Sequence, residues 1–136
     1  MSLGIGAHAN LILEDDKTVM YEYGSYNLNE TEYRPRNNIY DGLITISRDC
    51  FAEPEIHEKL KRVPSGRKKL IIKRIPVDVN YTQMISEGKI IVENCSNCWR
   101  VSTENNVDIM ALRILFVLFR QYQVDGKLPE SAGYDA

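Results

Sequence analysis

The chain has 136 residues, of which 43% are apolar and 26% are charged, and its formal net charge is −2. This length suits one domain with a core of its own, and the composition excludes wholesale disorder. A net charge so close to zero argues against a protein whose whole surface binds nucleic acid. It leaves room for a local basic patch.

Targeting signals are not evident in the sequence. Residues 1–6 contain neither a basic region nor an apolar run of the secretory type, and residues 1–3 are compatible with a cloning remnant. The apolar stretch at residues 109–119 is about half the ~20 residues of a membrane-spanning helix. Three cysteines without a secretion signal favour reduced thiols, so the chain is expected to be cytoplasmic and not to bind membranes.

The predicted elements begin with a β-hairpin. Residues 7–13 and 18–23 are strand-forming runs on either side of a short acidic turn. Gly24 ends the second strand, and the asparagine-rich residues 25–40 are predicted to form a long ordered loop. Residues 42–46 are predicted to form a third strand.

A short helix is predicted next, at residues 53–62. Pro54 suits a first helical turn, the acidic residues beside it complement the helix dipole, and Pro64-Ser65-Gly66 ends the element. Residues 69–75 are then predicted to be a strand, and residues 81–86 a helical turn.

Two further strands, residues 89–93 and 99–102, precede the last predicted helix. Asn105 or Asn106 caps that helix, which runs to about Gln123. It is apolar on nearly every side, a pattern typical of a helix buried in the core or partly at a subunit contact.

This order of elements predicts the α+β class. We expect a single domain over residues 1–136, with residues 128–136 as a tail. Its largely antiparallel sheet starts with the N-terminal hairpin and packs against the buried C-terminal helix and one shorter helix.

Basic residues are concentrated in residues 59–74, which hold eight bases and no acid. Residues 1–58 hold eleven acids and four bases, so the charge is segregated along the chain. Arg67, Lys68 and Lys69 are therefore candidates for binding phosphates or an acidic partner. The alternative is that the bases complement a helix C-terminus and are neutralised within the molecule.

Tyrosines are concentrated in residues 21–40, which hold five of the eight in the chain, together with Arg34 and Arg36. Tyrosine, asparagine and arginine together are typical of recognition surfaces, and long ordered loops often carry function. The candidate binding residues here are Tyr23, Tyr26, Tyr33, Arg34 and Arg36. In the alternative, Tyr21 and Tyr23 belong to the strand and the others pin the loop.

Cys95 and Cys98 form a C-x-x-C pair. A redox pair requires the start of a helix, and a structural zinc site requires two such pairs, so buried thiols at a turn are the favoured interpretation. No metal or cofactor is expected.

His8 provides an enzymatic alternative, because a cysteine nucleophile needs an imidazole as its base. Cys98 or Cys95 would be the nucleophile, and Asn10 or a tyrosine would orient the ring. If residue 13 faces residue 18 across the hairpin, then His8 faces Tyr23, and Glu22 lies on the opposite face of the sheet.

The strings Gly6-Ala7-His8 and Asn97-Cys98 resemble the circularly permuted papain-like hydrolases. The resemblance covers these two short strings and does not assign the chain to that family. It implies a thiol hydrolase with its cysteine at the start of a helix, whereas the residues after Cys98 look extended.

Taken together, the sequence favours a small intracellular, non-catalytic binding module that contacts a protein partner or associates with itself. A thiol hydrolase using His8 is the first alternative. The second is a protein that binds nucleic acid or an acidic partner through residues 59–74.

Overall fold

The N-terminal hairpin turns at Asp15. The computed structural model describes residues 4–29, 39–51, 53–62, 64–98, 100–103 and 106–135. Strand β1 (Ile5–Glu14) pairs antiparallel with β2 (Thr18–Asn27). The Asp15 carboxylate accepts hydrogen bonds from the backbone N–H groups of Lys17 at 2.8 Å and Thr18 at 2.7 Å, which fixes the turn. The hairpin prediction is confirmed, but β2 continues past Gly24 instead of ending there.

The register of this hairpin differs from the predicted one. Leu13 faces Met20, and a β-bulge between Leu11 and Leu13 shifts the pairing, so that His8 faces Gly24 rather than Tyr23. Side chains alternate between the two faces of a sheet, and a shift of one residue therefore exchanges the faces. Tyr23 consequently points to the opposite face from His8.

Five antiparallel strands form the main sheet, in the order β6-β3-β2-β1-β7. β3 (Gly42–Ser47) pairs with β2, and β6 (Ile90–Glu93) pairs with the other edge of β3. β7 (Ser131–Asp135) pairs with β1, so part of the predicted tail is an edge strand of the sheet.

One face of the sheet is covered by α2 (Ile109–Asp125). Its N-cap is Asp108, whose side chain accepts from the Met110 N–H at 3.0 Å, and not Asn105 or Asn106 as predicted. Gly126, with a φ of 75°, ends the helix in the left-handed conformation. The buried side chains of α2 are Met110, Ala111, Ile114, Leu115, Leu118, Phe119 and Gln123.

The core lies between α2 and the inner face of the sheet. That face contributes Ala7, Ala9, Tyr21, Tyr23, Ile44 and Ile46, all fully or almost fully buried. Since full burial of one aliphatic or aromatic side chain contributes roughly 1.5–3 kcal/mol, this helix–sheet contact is the main source of stability.

The segment predicted as a helix at residues 53–62 is a strand. β4 (Glu55–Arg62) pairs antiparallel with β5 (Lys68–Ile75) in a separate two-stranded sheet, with Leu60 opposite Leu70. Ile56 and Leu60 lie on one face whether the segment is helical or extended, because a spacing of four residues satisfies both periodicities. Pairing with β5 decides between the two structures.

The remaining elements are short. α1 (Tyr81–Ser86) confirms the predicted helical turn. Among the described residues of the predicted strand at 99–102, Val101 makes an isolated bridge to Asp108 and no regular strand forms. The α+β class with an antiparallel sheet is confirmed. Within the described part of the chain, no helix is long and apolar enough to cross a membrane.

Candidate functional site

His8 lies on the face of the main sheet that points away from α2. Its Nε2 is 3.4 Å from the Asp135 carboxylate, and its ring stacks on Tyr26 with 6.0 Å between the ring centroids. The Tyr26 hydroxyl donates to the same Asp135 carboxylate at 2.5 Å. On this face too, the Asn10 amide donates to Glu22 at 3.4 Å. Asn10 therefore contacts Glu22, which the predicted register had placed on the opposite face.

Cys95 lies on the inner face, in a buried polar cluster at the start of α2. Its Sγ is 3.5 Å from the Ser25 hydroxyl and 3.5 Å from the Asp108 carboxylate. The Tyr23 hydroxyl donates to Asp108 at 3.0 Å and accepts from the Cys95 N–H at 3.0 Å. Through these bonds strand β2, the turn at Cys95 and the cap of α2 are joined.

The predicted catalytic residues are not brought together. Ser25, which contacts Cys95, faces Ala7 across the hairpin, so the neighbouring His8 points to the opposite face. The Cys98 Sγ lies 3.8 Å from the Arg100 carbonyl oxygen. Among the described residues, neither thiol contacts a histidine.

The electrostatics of this cluster keep its thiols protonated. Burial, followed by the nearby Asp108 carboxylate, raises the pKa of Cys98 to about 11. Burial also raises the pKa of Cys95 and that of Asp108. Because a nucleophilic cysteine needs a lowered thiol pKa, the cluster has the properties of a structural site. No group of residues suited to hold a metal ion occurs in the described part of the chain.

The tyrosines of residues 21–40 are distributed between the core and the surface. Tyr23 has none of its surface exposed, and the Tyr21 hydroxyl donates to the Pro129 carbonyl at 2.5 Å. Tyr23 therefore belongs to the core. Tyr26 contacts His8 and Asp135, whereas Tyr33, Arg34 and Arg36 lie outside the described residues.

The β4–β5 hairpin carries most of the basic segment and remains apart from the core. Arg67, Lys68 and Lys69 are exposed. None of these three, nor Arg62 or Lys73, forms an ion pair within the described residues. The alternative of internal neutralisation is therefore not supported for these five bases.

One face of this hairpin carries a group of exposed apolar side chains. Cross-strand partners and alternate residues share a face, which places together four large aliphatic side chains that we call the apolar strip. Its members, with their exposed fractions, are Ile56 (56%), Leu60 (62%), Leu70 (51%) and Ile72 (59%). Lys69 and Lys73 lie on the other face, whereas Arg62, Lys68 and Arg74 share the face of the apolar strip. This face therefore presents apolar and cationic groups together.

Arg74 links the base of the hairpin to the body of the protein. Its Nε donates to the Gln123 carbonyl oxygen at 2.9 Å, near the C-terminal end of α2. The side chain of Gln123 makes a second contact, with the backbone of Val77. It donates to the Val77 carbonyl at 3.0 Å and accepts from the Val77 N–H at 2.5 Å. The hairpin is thus held at its base, while its outer part projects from the body.

Sequence reasoning identified the bases of this site and missed the apolar strip. The available signal was the turn at Pro64-Ser65-Gly66 between two runs of eight residues, 55–62 and 68–75, which is an arrangement typical of a hairpin. Comparison with protein-family models, curated proteins and solved structures gives no match to this chain.

Proposed function

We propose that this protein is a non-catalytic binding module that docks an acidic protein partner on the β4–β5 hairpin. The observation that supports this proposal is the exposed apolar strip, formed by Ile56, Leu60, Leu70 and Ile72, beside bases without ion pairs. Exposed apolar side chains grouped on one face mark interaction sites.

Each class of side chain on the hairpin has a distinct part in binding. Burying an aliphatic side chain such as Leu60 contributes up to roughly 1.5–3 kcal/mol, and this term supplies affinity. Cations such as Arg67, Lys68 and Lys69 attract an acidic surface over a distance, which raises the association rate and disfavours basic competitors. The partner that fits has an apolar centre with carboxylates around it.

A nucleic acid fits this surface less well than a protein. Residues 55–75 contain no Phe, Tyr or Trp, and single-stranded nucleic acids are bound mainly by stacking on aromatic rings.

A second copy of the chain fits less well for a different reason. A symmetric contact between two hairpins would place Lys68 and Lys69 of one copy near the same bases of the other. Like charges brought together at an interface cost several kcal/mol, so the basic residues oppose self-association through this face.

The test uses a random peptide library displayed on phage and selected on the full chain. We expect the selected peptides to be rich in Asp and Glu with interspersed aliphatic residues, and their affinity to fall as salt is raised. A synthetic copy of one selected peptide, measured by fluorescence anisotropy, should bind Leu60→Ser at least about tenfold more weakly, because the strip loses a buried apolar contact.

The matched control is Ile91→Ser. Ile91 is also exposed, at 55%, but it lies on β6 of the main sheet, so this substitution should leave peptide affinity within about twofold. The proposal fails if the selected peptides are not acidic, or if Ile91→Ser weakens them as much as Leu60→Ser. It also fails if a 20-nucleotide DNA strand or duplex binds the chain more tightly than every selected peptide.

A further inference from the structure

The outer edge of β5 is open. The hairpin is a two-stranded sheet in which β5 is hydrogen-bonded to β4 on one side, and no strand pairs with its other side among the described residues. An edge strand presents a row of backbone N–H and C=O groups that another extended chain can pair with. Lys68 to Arg74 are exposed along this edge.

The two edges of the hairpin differ in charge. β5 carries Lys68, Lys69, Lys73 and Arg74 and no acid, whereas β4 carries two acids, Glu55 and Glu58, beside three bases. An approaching acidic chain would meet two carboxylates among the bases of β4, and on β5 the only charged groups are cations. Cross-strand pairs of opposite charge are favourable and those of like charge are unfavourable, so the β5 edge is the preferred one.

We propose that the acidic partner docks as an extended segment that pairs with the outer edge of β5 and becomes the third strand of this small sheet. This inference rests on the proposed function and specifies its binding mode. The two faces of β5 define the segment: its aliphatic side chains lie on the face of Leu70 and Ile72, and its carboxylates lie beside Lys69 and Lys73 on the other face, which also carries Ile71.

The same edge excludes a second copy of itself. Two β5 strands pairing edge to edge would set lysines against lysines, and lysines on edge strands are a common barrier to such association. The charge that prevents self-pairing therefore selects an acidic strand.

The test uses four synthetic peptides with the full chain. The first is an eight-residue peptide that alternates glutamate and valine, and the second replaces each glutamate by lysine. The third and fourth are the glutamate–valine peptide with every second backbone nitrogen methylated, in the odd or the even positions. In a strand, successive N–H groups point to opposite edges, so only one of the two methylated series loses the bonds to β5.

We expect the glutamate–valine peptide to bind, measured by fluorescence anisotropy, and the lysine–valine peptide to bind at least about tenfold more weakly. One methylated series should bind within about twofold of the unmodified peptide. The other should lose at least about tenfold, since each lost backbone hydrogen bond weakens binding. Hydrogen exchange should show protection on bound β5 amides and not on those of Lys89 to Glu93.

Two outcomes separate this inference from the function on which it rests. If both methylated series bind as well as the parent peptide while Leu60→Ser weakens all three, strand addition is overturned and the docking function stands. If the glutamate–valine peptide binds no better than its lysine counterpart and Leu60→Ser has no effect on either, both proposals are overturned.

Discussion

Asp108 connects three parts of the molecule: strand β2, the residues after β6 and the start of α2. Its carboxylate caps α2 by accepting from the Met110 N–H, and it also accepts from the Tyr23 hydroxyl at 3.0 Å. Its own N–H donates to the Asn94 side chain at 2.9 Å. Burial raises the pKa of Asp108 and also those of the neighbouring thiols of Cys95 and Cys98, because it disfavours the charged form of each group.

The first prediction, at the residue scale, concerns the reactivity of the thiols. Burial raises the pKa of Cys50, Cys95 and Cys98, that of Cys98 to about 11, so the folded protein holds less thiolate at neutral pH than an ordinary cysteine does. We expect iodoacetamide to alkylate all three slowly at pH 7, as read by mass spectrometry, with the rate at Cys98 rising only as pH approaches 11.

The control for this experiment is the same chain in urea, where all three cysteines should react at ordinary rates. A Cys98 that reacted rapidly below pH 7 and lost that reactivity in His8→Ala would contradict the structural assignment and favour the thiol hydrolase. The position of His8 beside Asp135, on the other face of the sheet, argues against that result.

At the scale of elements, the local sequence pattern predicts α2 correctly and β4 wrongly. The run at residues 109–119 is apolar on nearly every side of a helix and too long for an ordinary strand, and α2 forms as predicted apart from its cap. In β4 the apolar residues Ile56 and Leu60 are four positions apart, which suits a helix and a strand equally. Only pairing with the partner strand, in which Ile56 faces Arg74 and Leu60 faces Leu70, distinguishes the two structures.

The second prediction, at this scale, concerns the attachment of the hairpin to α2. Gln123→Ala leaves the Val77 N–H and C=O without their side-chain partners, and we expect a loss of about 1–3 kcal/mol in the free energy of unfolding, measured in urea. Gln121→Ala, on the same helix, is the control and should stay within about 0.5 kcal/mol of the parent. Equal losses in the two variants would show that the Val77 contact contributes nothing specific.

At the scale of the whole molecule, the stabilising core and the proposed docking surface are separate. The core cluster and the partly buried residues packed against it contain no residue of β4 or β5. A two-stranded hairpin is marginal by itself in water, and this one is held at its base by Arg74. The outer part of the hairpin can therefore change in sequence with little loss of stability in the rest of the fold.

The third prediction, at this scale, is that the hairpin can be shortened without unfolding the protein. His57 faces Lys73 in the ladder, so replacing residues 58–72 by Asn-Gly joins these two residues by a tight turn. We expect a melting temperature within about 5 °C of the parent, measured by circular dichroism, because no core residue is removed. Peptide binding should be lost. A shortened chain with no cooperative transition would contradict the separation of core and docking surface.

Several features of this protein follow from the sequence by itself. The α+β class, the N-terminal hairpin and the helix near residues 109–125 all arise from local periodicity and turn chemistry. The concentration of charge in residues 59–74 is also a property of the sequence alone. These features need no knowledge of distant partners, because each pattern has one structural interpretation.

Tertiary structure decided the rest. The bulge between Leu11 and Leu13 determines that His8 and the thiols lie on opposite faces, and a shift of one residue is invisible in a pattern of period two. Residues 131–135 became a strand because β1 offered an edge, although Ser131-Ala132-Gly133 is a weak strand former. The apolar strip exists only because β4 and β5 pair, which brings side chains from distant positions onto one exposed face.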